Sequence, residues 1–175
     1  LVDINHLRKE KLQLSFTKMQ SCGNDYIYID CFDYEPDDEE KGRISLKLSD
    51  RHFGVGGDGV VFICRSFVAD GRMRMFNADG SEGKMCGNAI RCVGKYMYDR
   101  RNIGKTTITV ETLSGIKTLK LTVENGEMKT AEVNMGKAVL VPKQIPVALD
   151  GDSVINRKVS VAGGEHDITC VSMGN

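Results

Sequence analysis

Nothing in this 175-residue sequence supplies an excess of charge. Lysine plus arginine (24) equal aspartate plus glutamate (24), so no global field draws the chain to nucleic acid or an anionic membrane. No apolar run approaches the ~20 residues that span a bilayer, and "LVDINHLRKEKLQLS" lacks the apolar core of a signal peptide, which makes the cytoplasm the default location. Prolines are few (3), and no linker or low-complexity segment interrupts the chain. The three histidines, His6, His52 and His166, have no ligand-like spacing. Partners therefore have to come from a local site.

Glycine (19) and cysteine (6) are more plentiful, and 41% of residues are hydrophobic, enough for a core. The cysteines (Cys22, Cys31, Cys64, Cys86, Cys92 and Cys170) are scattered rather than set in a tight framework, which favours free thiols in a reducing compartment. Apolar runs and alternation predict strands over 13–19, 26–31, 59–65, 72–76, 106–112, 115–123, 128–134, 157–162 and 166–172. "ENGE" and "AGGEH" read as hairpin turns. "DYEPDDEEKGR" reads as a solvated acidic loop leading into a short helix over 43–53. The strongest helical pattern runs from Asn88 to Tyr98, with Ala89, Ile90, Val93, Tyr96 and Met97 on one face. A single α+β domain fits this order, with residues 1–12 read as an N-terminal extension ahead of a domain over 13–175.

Three motifs fail on context. "GVGGDG" (54–59) matches G-x-G-x-x-G, but a helix precedes it and a strand follows, the reverse of a dinucleotide-binding turn; a loop allowing close backbone approach fits better. "IGKTT" (103–107) has Asp99 where a phosphate-binding loop needs glycine. Cys86 and Cys92 are too far apart for a zinc pair.

Cys86 directly precedes Gly87-Asn88 and the helix. A cysteine there meets unpaired N–H groups and the positive end of the helix dipole, surroundings that favour a thiolate. Gly87 permits close approach of a ligand, Asn88 can cap the helix, and the same N–H groups could hold a carboxylate. For a lone cysteine, however, spacing alone favours a small apolar side chain buried at a turn, and Cys92, a turn and a half into the helix near its apolar face, takes the same apolar reading. Asn77, Asp79 and Ser81 read by default as turn formers.

Four segments resolve the ambiguity. "FTKMQSCGNDYIYID" (16–30), "RHFGVGGDGVVFI" (51–63), "FNADGSEGKMCGNAIRC" (76–92) and "VSMGN" (171–175) resemble, in order and spacing, the N-terminal half of the diaminopimelate epimerase family. The resemblance implies a mostly antiparallel sheet wrapped around one central helix, forming one of two similar halves with a cofactor-free cleft between them. It implies interconversion of LL- and meso-diaminopimelate, in lysine and peptidoglycan precursor synthesis, by two cysteines on opposite faces of the α-carbon. Cys86 matches one of those cysteines, and Asn24, Asn77, Gly87, Asn88 and Asn175 match substrate-holding positions. Cys22 and Gly59 depart from the family pattern: many relatives have a small or aliphatic residue at the first position, and some a ligand-binding glutamine at the second. The chain ends where the family continues, so the missing C-terminal half is the expected partner, a homodimer is compatible, and the chain alone is expected to be inactive. Other isomerase chemistry on this fold, or a non-catalytic binding module, remains an alternative.

Overall fold

The computed structural model describes residues 14–173, so the extension 1–12 and Asn175 lie outside it. The chain divides into two compact units after Asn134.

The first unit begins with strands β1 (Thr17–Ser21) and β2 (Asn24–Cys31), joined by a two-residue turn in which Cys22 and Gly23 both take positive φ (53° and 88°). Helix α1 (Asp38–Ser49) follows, then β3 (Gly59–Cys64), β4 (Gly71–Asn77), the two-residue β5 (Glu82–Gly83) and helix α2 (Gly87–Asp99). Strands β6 (Thr107–Thr112), β7 (Gly115–Glu124) and β8 (Glu127–Val133) complete it. Asn125 and Gly126 form the tight turn expected from "ENGE", again with both φ positive.

The strands form one sheet in the order β1-β2-β3-β4-β6-β7-β8, with β5 on β4. It is mostly antiparallel; β2–β3 and β4–β6 are the parallel pairs. The terminal strands β1 and β8 both pack on α2, so the sheet curls around that helix as expected. Alternation along β2 sorts the two faces. Tyr28 turns inward, its hydroxyl donating to the Ala89 carbonyl of α2 at 3.3 Å. Ile27, Ile29 and Cys31 turn outward to join Val60, Phe62, Cys64 and Phe76 against Ile44 and Leu48 of α1. With a helix on each side, all six residues of β3 are buried, which explains its unbroken apolar run.

The helix expected over 43–53 starts five residues earlier and ends at Ser49. Asp37 is its N-cap, accepting from the Glu40 N–H at 2.8 Å, while Asp38, Glu39 and Glu40 occupy the first turn. Much of the acidic "loop" is therefore helix, because carboxylates suit the positive helix end. At the other end the glycine-rich loop folds back over the helix. The N–H groups of Gly54, Val55, Gly56 and Gly57 donate to the carbonyls of Asp50, Leu48, Leu48 and Ser49, respectively. GVGGDG thus caps a helix C-terminus, close to the backbone approach expected of it.

The second unit contains a 3-10 turn at Pro142–Gln144, a β-bridge between Val139 and Ser172, and the hairpin β9 (Arg157–Val161)/β10 (Gly164–Ile168). Ala162 and Gly163 make its turn. The strand expected over 166–172 is thus shifted to Gly164–Ile168, because its register is set by that turn.

Candidate active site at the start of the central helix

Cys86 is itself the N-cap of α2. Its backbone is extended (φ −138°, ψ 115°) and its Sγ accepts from the Ala89 N–H at 3.4 Å. Asn88, expected as the cap, is instead the second helical residue; the extended backbone that a cap requires belongs to Cys86. The first turn carries no acidic side chain, so no carboxylate of the helix's own neutralises the dipole beside the thiol. Behind the site Ala89, Ile90, Val93 and Met97 are buried, anchoring the helix in the curled sheet.

Asn88 and Asn24 meet: the Asn88 side-chain amide donates to Asn24 Oδ1 at 2.9 Å. Asn24 in turn donates to Asp58 Oδ2 at 3.2 Å, and Arg91 donates to Asn88 Oδ1 at 2.8 Å. Gly87, the first helical residue, lies between Cys86 and Asn88 in the chain. Asn77 ends β4, where its side chain donates to Ser81 Oγ at 3.0 Å within the 77–81 turn, and the Ser81 hydroxyl in turn donates to Asp79 Oδ1 at 2.6 Å. The turn-forming role is therefore what the described contacts of Asn77 show. Asn77 nevertheless lies in one row across the sheet with Gly59 and Tyr26, since both pair with Gly59.

Tyr26 is the neighbour that sequence spacing did not reveal. It is buried, and burial together with the adjacent Cys86 side chain pushes its phenol well above the usual tyrosine range. The ring lies over Gly59: a Cβ there would come within 3.0 Å of Tyr26 Cε1 and 2.1 Å of the Phe76 carbonyl oxygen. Gly59 is thus a packing requirement of this row. The clue in the sequence was the aromatic residue two positions after Asn24, but only the β2–β3 register gives it meaning.

The remaining cysteines differ in setting. Cys92 is buried against the Tyr28 side chain, and burial pushes its thiol up. Cys31 and Cys64 face each other across the β2–β3 ladder, buried, with the Cys64 thiol and burial raising Cys31. Cys22 is exposed in its turn and Cys170 half-buried in the second unit. Among the described residues no group of three or more His, Cys, Asp or Glu side chains could hold a metal ion, and no helix is long and apolar enough to cross a membrane.

The family model for diaminopimelate epimerase matches residues 16–141. The diaminopimelate epimerase of Acetivibrio thermocellus is 53% identical over 162 residues, covering 93% of this chain and 57% of that protein. That of Methanococcus maripaludis strain S2 is 51% identical over 162 residues, covering 93% and 58%. The chain thus spans just over half the length of these curated relatives. Among solved structures, a hydroxyproline epimerase from Agrobacterium vitis with bound trans-4-hydroxy-L-proline superposes with a TM-score of 0.63 at 10% identity, over 90% of this chain and 48% of that one. A probable proline racemase from Agrobacterium radiobacter K84 gives 0.62 at 11% identity, over 91% and 49%. At such identities these two establish the α+β fold alone. The match over 16–141, together with relatives about half identical along nearly the whole chain, places this protein in the diaminopimelate epimerase family.

Proposed function

We propose that this chain is one catalytic half of a diaminopimelate epimerase, working in the cytoplasm on a lysine and peptidoglycan precursor, with Cys86 as one of two acid–base groups. The supporting observation is the convergence of Cys86 at the N-cap of α2 with the Asn24–Asn88 amide pair. An α-proton is weakly acidic, so its removal requires a positioned base and fixed donors for the developing charge. The Cys86 thiolate takes the α-proton, becoming a thiol, and the electron pair left on the α-carbon is stabilised by N–H donors around the carboxylate. A thiol from the C-terminal half of such an enzyme, on the opposite face, returns a proton and becomes the thiolate. Inversion follows from two bases on fixed opposite faces, with no cofactor required. After their mutual bonds Asn24 and Asn88 each keep a side-chain N–H for an anionic group. Asn77, Gly87 and Asn175 are assigned to substrate holding on the family pattern alone.

The test is Cys86→Ala in a full-length enzyme bearing these residues, assayed by chiral chromatography of LL- and meso-diaminopimelate. Turnover should vanish, whereas Cys92→Ala and Cys64→Ala retain most of it, and the 175-residue chain alone should form no meso product. Comparable losses from all three substitutions, or turnover by the chain alone, would refute this assignment.

A further inference from the structure

The amides of Asn24 and Asn88 are strung between two opposite charges. Arg91 donates to Asn88 Oδ1 (2.8 Å), Asn88 Nδ2 donates to Asn24 Oδ1 (2.9 Å), and Asn24 Nδ2 donates to Asp58 Oδ2 (3.2 Å). Asp58 is itself fixed, receiving the Asp25 backbone N–H at 3.1 Å and the Arg51 guanidinium at 2.9 Å. Arg51 also grips Asp25 at 2.7 and 3.1 Å.

A carboxamide has nearly the same shape in either flip, so sterics alone leave its polarity undecided. Partners decide it. A guanidinium only donates, so the Asn88 oxygen must face Arg91 and its nitrogen must face Asn24. An ionised carboxylate only accepts, so the Asn24 nitrogen must face Asp58, leaving its oxygen for Asn88. The two charges thus impose the same polarity from opposite ends, and a flip of either amide breaks two bonds. Local structure delivers both charges: Arg91 lies one helical turn after Asn88, and Asp58 arrives on the glycine-rich loop that caps α1.

We propose that Asp58 and Arg91 are positioning residues that fix the amide polarity of Asn24 and Asn88, so that each keeps an N–H rather than an oxygen for an anionic substrate group. This rests on the reading of both asparagines as substrate-holding. In a full-length enzyme bearing these residues, Asp58→Asn and Arg91→Met should each raise KM about tenfold with a smaller fall in kcat, because binding geometry rather than the base is disturbed. Arg91→Lys, which keeps a donor-only cation, should recover most of the loss. Arg43→Met, at a surface pair with Glu39, should change nothing.

An independent readout is the side-chain NH2 resonances of Asn24 and Asn88 in the 175-residue chain. Asp58→Asn should shift those of Asn24 and Arg91→Met those of Asn88, with the β2 backbone amides of Ile27 to Asp30 unmoved. Unchanged KM in both variants, no rescue by lysine, or unshifted NH2 signals would each overturn the proposal. If the NH2 signals shift but Cys86→Ala retains turnover, the amide chain stands and the catalytic reading falls. The reverse pattern spares the catalytic reading and removes this one.

Discussion

Gly59 shows how a single residue can be read two ways. Against the family pattern it is a departure from a ligand-binding side chain; in the folded chain it is the only residue type that fits. A Cβ would meet the Phe76 carbonyl oxygen at 2.1 Å, and backbone in the middle of a sheet buried on both faces has little room to yield. Gly59→Ala should therefore cost about 3 kcal/mol or more by urea denaturation, at the upper end of overpacking penalties. A loss below 0.5 kcal/mol would show that β3 and β4 can separate there. Cys86, Gly87, Asn88 and Asn24 were legible as candidates because they sit in contiguous motifs. Tyr26, Asp58 and Arg91 were not, because their relation to the thiol and the amides arises from strand register, a helix turn and a loop that folds back. The assignment of Cys86 as its own helix cap was also hidden: sulfur is a weak acceptor, and sequence rules point to the asparagine two residues on.

The helices α1 and α2 differ in how their ends are read. For α2 the apolar spacing gave both limits within a residue, since the buried face of Ala89, Ile90, Val93 and Met97 is strongly periodic. For α1 the acidic run concealed the first turn, because charge suggests solvent unless it is read as a complement to the dipole. If the cap at Asp37 holds that turn, Asp37→Ala should lower stability by ~1 kcal/mol in chemical denaturation, and Asp37→Asn, which also caps, should restore most of it. Equal losses from alanine and asparagine would assign the effect to charge instead. The hairpin turns at 125–126 and 162–163 were legible from their Asn-Gly and Ala-Gly-Gly residues. The short strand β5 was not, having only two residues.

Across the first unit, the carboxylates are tied to cations in a way that gives stability a direction in pH. The Arg51 and Lys18 side chains hold Asp25 well below the usual carboxylate range. In Asp30, Glu35, Asp70 and Asp99 burial pulls upward but is outweighed by bonds from Arg101, Lys41, Lys105 and Lys95, leaving each lowered. A group depressed in the folded state contributes stability that is complete above its unfolded value, near 4, and is lost as pH falls through the folded value. The thermal midpoint by circular dichroism should thus be flat from about pH 7 to 5 and fall progressively below about pH 4. A midpoint that holds or rises between pH 4 and 3 would contradict this.

The curled sheet has a mechanical consequence. Because β1 and β8, the ends of the strand order, both rest on α2, the helix is a rod inside a hoop whose seam it closes. A rod so held has little freedom to slide or turn unless the hoop opens. The sulfur of Cys86 sits at the tip of that rod, so its position is tied to the seating of the whole helix in the sheet as well as to the short loop before it.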